Sequence, residues 1–365
     1  MTVPFLDLKS QYSKIEPEIL AKVTEILRSG SYIMGPFAQK FEEEFAAAHE
    51  AKFCLAVNNG TSAIHLALWA AGVGPGHEVI VPANTFIATA EAVSLCGATP
   101  VFVDHDDFYN IDPVRVASVI TSKTRAIIAV HLYGQPAQMQ KLRSICDAHR
   151  LILIEDAAQA HLAKDEGKFV GSWGDATCFS FYPGKNLGAY GEGGAVITND
   201  SDLHHKMKII RDHGSETKYN HVVPGHNYRL EALQCGILSV KLQYLAEWTE
   251  GRRQVAREYD EKLKDLPLTL PKVRQGAEPV WHLYVVLAHE RDKLQHYLTE
   301  KGIGTGLHYP VPLHLQRAYH SLGYRQGSFP RSEDSGSKLL SLPMFPEMTT
   351  EQIESVVHYV REFYS

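Results

Sequence analysis

Lys185 lies in the run Ser180-Phe-Tyr-Pro-Gly-Lys185-Asn-Leu-Gly-Ala-Tyr-Gly-Glu-Gly-Gly194, and Glu155-Asp156-Ala-Ala-Gln159-Ala-His161 precedes it in the chain. A lysine in a glycine-rich, weakly charged loop is a candidate Schiff-base residue. Its amine is nucleophilic only when neutral, and a desolvated site lowers its pKa. An acid at the end of a buried strand is a candidate partner for a pyridinium nitrogen. Together these are the two protein groups that pyridoxal phosphate chemistry most needs. Each segment alone also fits a plainer reading, Lys185 as a solvated loop residue and Glu155-Asp156 as a helix cap. The full wording of the two segments carries the specificity.

Other residues could complete such a site. Asn59-Gly60-Thr61-Ser62 precedes an apolar helix. Glycine lets a ligand approach the backbone, and the free N–H groups of a helix start bind phosphate. The same residues fit an ordinary N-cap by Thr61 or Ser62. They are not a Walker loop, because no Lys-Ser/Thr follows at the required spacing. Gly72-x-Gly74-x-Gly76 fails the third spacing of a dinucleotide fingerprint and ends a helix, which argues against a nicotinamide dehydrogenase. Phe86 follows a predicted strand and could stack on a flat ring or pack into the core. Asn227-Tyr-Arg229 suits anion binding or a solvated surface. His308-Tyr309, in a stretch stiffened by Pro310 and Pro312, carries polar rings that could touch a sugar or simply belong to a surface loop.

The elements that must position these groups can be read from apolar patterning. Ile19, Leu20, Val23 and Leu27 recur at helical spacing and stop at Ser29-Gly30. A strongly apolar helix runs from Ala63 to about Ala71. Val79-Ile-Val81, Pro100-Val-Phe-Val103, Ala126-Ile-Ile-Ala-Val130 and Leu151-Ile-Leu-Ile154 do not alternate polar with apolar, the pattern of parallel strands buried on both faces. Helical segments such as Met139 to His149 separate them, which implies an α/β sheet. Residues 177–181 and 195–198 read as strands flanking the Lys185 loop. Asp156 directly follows an apolar run, so it falls at the carboxyl edge of the sheet, where ligands of open α/β sheets bind. Leu233, Ile237, Val240, Tyr244 and Trp248 predict one long helix from Leu230. The domain junction is placed inside it, giving a large domain 1–248 and a small α+β domain 249–365 with a strand over 280–287 and helices over 291–301 and 351–363.

Bulk properties narrow the classes. The 365 residues suggest about two domains, and 44% hydrophobic residues suffice for a large core. A net charge of -6 without a Lys/Arg run argues against nucleic acid. Five cysteines with no CxxC pair argue against a disulfide framework or zinc site and fit a reducing cytoplasm. The 19 histidines show no metal-binding spacing, so no metal is expected. No signal pattern opens the chain, and no run approaches the roughly 18 apolar residues of a membrane span.

The motifs resemble those of the DegT/DnrJ/EryC1/StrS sugar aminotransferases, pyridoxal phosphate enzymes of the aspartate aminotransferase superfamily (fold type I). The resemblance spans nearly the whole chain. It rests on Pro4-Phe-Leu-Asp-Leu8, Gly35 with Phe41-Glu42, Asn58 to Ser62, Thr85-Phe86 and His131-Leu-Tyr-Gly-Gln-Pro136. It continues through Glu155 to His161, Ser180 to Gly194, Gly225 to Leu230, His308 to His314 and Leu342-Pro343.

That resemblance implies roles. Lys185 would link to the cofactor and shuttle the proton, and Asp156 would keep the pyridine nitrogen protonated. Phe86 would stack on the ring and Gln159 would bond its 3-hydroxyl. Gly60, Thr61 and Ser180 would hold the phosphate. Asn227 would reach that phosphate from the neighbouring subunit, so the unit would be a homodimer. Arg229, His308 and Tyr309 would contact substrate. The retained lysine excludes relatives that carry histidine there and act as dehydrases. The wording around Gln159-Ala-His161 and Phe181 to Tyr190 most resembles enzymes that aminate C3 of dTDP-3-keto-6-deoxyhexoses, with L-glutamate as donor. Glu192 and Cys235 depart from the usual Asp and Ala. The alternatives are amination at C4, amination of a keto-cyclitol, and a non-catalytic cofactor-binding sensor or scaffold.

Overall fold

The computed structural model describes residues 2–365. Its centre is a seven-stranded sheet of β1 (Phe53–Val57), β2 (Glu78–Pro82), β3 (Thr99–Val103), β4 (Thr124–Val130), β5 (Ile152–Asp156), β6 (Ala176–Ser180) and β7 (Gly194–Thr198). The spatial order is β1-β7-β6-β5-β4-β2-β3. Four pairs are parallel: β2 with β3 and β4, β4 with β5, and β5 with β6. Strand β7 runs antiparallel between β6 and β1. Six strands therefore end at one edge, and β7 begins there.

Burial on both faces explains the unbroken apolar runs. Within β4, Ala126, Ile128 and Val130 join one core, while Ile127 and Ala129 join another with Met139, Leu142 and Cys146 on the opposite face. The helices are α1 (Leu8–Ser29), α2 (Gly35–Ala48), α3 (Gly60–Ala70), α4 (Ile87–Leu95), α5 (Pro113–Ser118), α6 (Met139–His149) and α7 (Ser201–Arg211). Helix α3 packs across β6 and β7, which places its N-terminus at the edge where the strands end.

The single long helix expected from Leu230 is two helices, α8 (Ala232–Leu242) and α9 (Leu245–Leu263). The ladder breaks where Gln243 and Tyr244 donate three residues back, to Val240 and Lys241. Apolar periodicity does not register the break, because Ile237, Val240 and Trp248 lie in one cluster with Ile15 and Ile19 on both sides of it. Strand β1 was not anticipated: a five-residue apolar run after a helix has no period of its own.

The C-terminal part packs β8 (Leu268–Thr269), β9 (Tyr284–Ala288) and β10 (Leu339–Leu342) as an antiparallel sheet. Helices α10 (Arg291–Glu300), α11 (Pro330–Lys338) and α12 (Thr350–Phe363) follow the chain around it. Val255, Tyr259 and Leu263 of α9 pack with Val286, Leu340, Val356 and Val360 in its core. Val3 joins that core and exchanges backbone bonds with Gly302 and Gly304, so the chain start crosses to the C-terminal sheet. Among the described residues no helix is long and apolar enough to cross a membrane.

Candidate active site

A cavity of about 600 Å³ opens at the edge where the parallel strands end. Gly60, Thr61, Phe86, Asp156, Gln159, Ser180, Lys185, His308 and Tyr309 all line it. The register explains the convergence: Asp156, the last residue of β5, lies opposite Val130 on one side and Cys178 on the other, and Ser180 ends β6 opposite Gly194.

Asp156 is 6% exposed. Its Oδ2 accepts from Thr89 Oγ1 at 2.8 Å and its Oδ1 from the Ala158 N–H at 3.2 Å. Burial raises its pKa, with Thr89, Ala158 and Lys185 opposing the rise. Lys185 borders the cavity in a tight turn, its N–H donating to the Tyr182 carbonyl at 2.8 Å. Burial pushes its ammonium down to about 8, against the opposing pull of Asp156. Below Asp156, Glu155 is fully buried. It bonds His131 Nε2 at 2.9 Å and accepts from the Gly174 N–H at 2.7 Å and the Gly171 N–H at 3.1 Å. Burial raises Glu155, but these donors outweigh it and hold the carboxyl below its ordinary value.

The glycine-rich start of α3 is capped by Asn59, whose side chain accepts from the Ser62 N–H at 2.8 Å. This corrects the expected cap by Thr61 or Ser62. It leaves the Gly60 and Thr61 N–H groups, which have no acceptor within the helix, at the cavity wall. A Cβ at Gly60 would stand 2.7 Å from the Ser180 Cβ, and one at Gly194 would stand 2.5 Å from the Asn59 carbonyl. Neither position has room for a side chain, so Ser180 and the α3 N-terminus are held together, and the free N–H groups there suit an anion.

Phe86 is 52% exposed and faces Tyr309 with ring centroids 5.4 Å apart, so it is not a core residue. Gln159 accepts from the Tyr133 N–H at 2.6 Å and donates to the Tyr309 hydroxyl at 3.2 Å. His308 lies 2.8 Å from Ser341 Oγ through Nδ1 and stacks on Phe5. Burial, then the Lys185 charge, pushes it down to about 4, so it is neutral near pH 7. Asn227 and Arg229 lie outside this cavity. Asn227 is exposed, and Arg229 pairs with Asp212.

Sequence reading passed over Thr89 and Arg252. Thr89 sits one helical turn after Thr85, and their hydroxyls meet at 3.1 Å. Arg252 falls among Glu250, Arg253 and Arg257 and reads as part of a solvated face. The signal that could have found it is its phase: Leu245, Trp248, Arg252, Val255 and Tyr259 form the buried stripe of α9.

These residues fit pyridoxal phosphate. The N–H groups beside Ser180 suit a phosphate, the exposed Phe86 face suits a planar ring, Asp156 offers a buried carboxylate, and Lys185 offers an amine whose pKa burial lowers. Fold and site thus define a cofactor-dependent aminotransferase of fold type I. The chain belongs to the DegT/DnrJ/EryC1/StrS aminotransferase family, whose profile matches residues 13–361. It is 50% identical, over 100% of its length and 99% of the relative, to a Geobacillus stearothermophilus protein described as a pleiotropic regulatory protein. It is 45% identical to the dTDP-3-amino-3,4,6-trideoxy-alpha-D-glucose transaminase of Streptomyces venezuelae, over 99% of this chain and 96% of that one. The crystal structure of S. venezuelae DesV in complex with a ketimine intermediate superposes with a TM-score of 0.98 at 45% identity, covering 100% and 99% of the two chains.

Proposed function

We propose that this protein moves an amino group from L-glutamate to C3 of a dTDP-linked 3-keto-6-deoxyhexose, working as a homodimer with shared active sites. The observation that carries the reading is one cavity holding an easily deprotonated lysine, a buried aspartate and a tight anion cradle. Pyridoxal phosphate, when bound, supplies the electron sink that makes a proton on the amino-bearing carbon removable. The chain's own residues do the rest. The Asp156 carboxylate, whose two oxygens are fixed by Thr89 and Ala158, would hold the cofactor's ring nitrogen. Lys185 Nζ takes the proton from the donor's carbon and returns one to the sugar's former carbonyl carbon. Gly60, Thr61 and Ser180 would hold the phosphate, Phe86 would stack on the ring, and Gln159, fixed by Tyr133 and Tyr309, would bond its 3-hydroxyl. His308 and Tyr309 offer neutral polar rings to the sugar, while Asn227 and Arg229 serve the partner's site. The C3 assignment draws on the motif wording and on the activity named for the S. venezuelae relative.

The Geobacillus relative's description raises a second reading, a cofactor-binding regulator without turnover. Spectroscopy separates the two. The cofactor-loaded protein is treated with L-glutamate, and 3-keto and 4-keto dTDP-sugars are then added separately. Loss of the visible absorbance with glutamate and its return with the 3-keto sugar alone supports the proposal. Return with the 4-keto sugar alone moves the reaction to C4. No change with glutamate or any other amine donor favours the regulator.

A further inference from the structure

The described cavity-lining residues include two groups that are cationic in their ordinary state, Lys185 and Arg252; its histidines, His282 and His308, are held neutral by burial. Arg252 is 3% exposed, and Glu347 opposes its charge without an ion pair between them. Its Nη1 donates to the carbonyls of Trp281 at 3.2 Å, His282 at 3.1 Å and Met344 at 3.0 Å. Its Nε is buried with no partner. A buried charge without an ion-pair partner is costly, and a buried N–H without an acceptor adds to that cost. Three carbonyls from two separate segments therefore fix the guanidinium at the cavity wall, and the carboxylate charge that acts on it, Glu347, does so without forming an ion pair. An anionic substrate group would supply an ion-pair partner.

We propose that Arg252 binds a carboxylate of the amino donor. The inference rests on the aminotransferase reading above. A group buried this deeply suits a small dicarboxylate that enters the cavity entirely, whereas the diphosphate of a sugar nucleotide must leave room for its nucleoside. Arg229 is neutralised by Asp212 within this chain, so it does not meet the same need here. Burial lowers Arg252 to about 10, which leaves it protonated at neutral pH.

The test separates the two half-reactions. Cofactor-loaded wild type, Arg252→Gln and Arg252→Lys are titrated with L-glutamate, and conversion in the reverse direction is followed with a dTDP-3-amino sugar. Binding of glutarate, a dicarboxylate without the amine, is measured in parallel by calorimetry. For Arg252→Gln the expected result is at least about a tenfold rise in half-saturating L-glutamate, the scale of one charged hydrogen bond, with glutarate binding lost. The amino-sugar titration should move far less. Arg252→Lys keeps the charge but not the fork, and falls between. Equal weakening of both half-reactions reduces Arg252 to a tie between carbonyls and overturns the proposal. A change confined to the sugar overturns it in favour of the diphosphate. If wild type ignores L-glutamate, the functional reading fails. The glutarate titration then decides Arg252: binding lost in Arg252→Gln supports it, and binding unchanged or absent in wild type overturns it.

Discussion

A lysine that must attack a carbonyl and then carry protons has to lose its own proton near neutral pH. Burial at the sheet edge takes Lys185 from 10.5 to about 8, despite Asp156 nearby. The sign follows from the charge: enclosure penalises the ammonium, so the amine is the favoured form above pH 8 instead of above 10.5. Capture of pyridoxal phosphate by the apoprotein should therefore accelerate with pH through a midpoint near 8, followed by the cofactor's absorbance. A midpoint near 10 would mean the amine is solvated. Between 8 and 10.5 the unfolded chain binds the proton that the folded one has released, so this group makes stability rise with pH across that window. Asp156 belongs to the same argument. Its carboxylate is unfavourable in isolation, with burial raising its pKa, and a pyridinium counter-charge would reverse that. Asp156→Asn removes the charge while keeping the shape. Turnover should fall at least about a hundredfold, the lower range of acid–base effects, with the melting temperature little changed. Unaltered turnover would reject the assignment.

At the scale of elements, what holds the site is the pairing under it. Glu155 points away from the cavity and ties β5 to His131 after β4 and to Gly171 and Gly174 before β6. A Cβ at Gly174 would stand 2.9 Å from Glu155 Cγ, so the carboxylate fits closely. Glu155→Ala leaves His131 and two buried N–H groups without their acceptor and should cost about 3–5 kcal/mol in denaturant unfolding. A loss below about 1 kcal/mol would show that the network is not structural. Because the folded carboxyl is held below 4.5, its contribution is present above that pH and is lost as pH falls through the folded value. Much of this level was legible in the chain. The unbroken apolar runs marked four parallel strands, and Met139–His149 is the helix that was read. Lys185, Asp156 and Gly60 were visible because they sit in short local motifs where strands end. Arg252 was not, because its function depends on which side of α9 faces inward, a property of packing. The break between α8 and α9 was hidden for a related reason: one cluster receives side chains from both helices, so the hydrophobic period continues across it.

At the scale of the whole molecule, the proposed dimer bears on exposed apolar side chains and on two residues outside the cavity. Tyr219 is 85% exposed at the turn of a hairpin formed by Ser215–Thr217 and Asn220–His221, with Val222 and Val223 beside it. Tyr182 and Phe86 border the cavity and are more than half exposed, and Tyr32 and Ile33 are nearly as open. Exposed apolar side chains mark a surface that binds another protein where they form one patch. Asn227 and Arg229 follow the hairpin yet lie outside their own chain's cavity. A two-fold dimer in which each hairpin region serves the opposite site accounts for both facts, since an isologous interface repeats every contact. Complementation tests it. Lys185→Ala should abolish turnover, and Asn227→Asp should place a carboxylate beside the partner's phosphate and abolish it as well. If the sites are shared, a mixed dimer combines both lesions in one site and leaves the other intact. Random reassortment of equal amounts would then restore about a quarter of wild-type turnover, because half the dimers are mixed and each has one good site. If Asn227 serves its own chain, each site in the mixed dimer carries one lesion and no turnover returns.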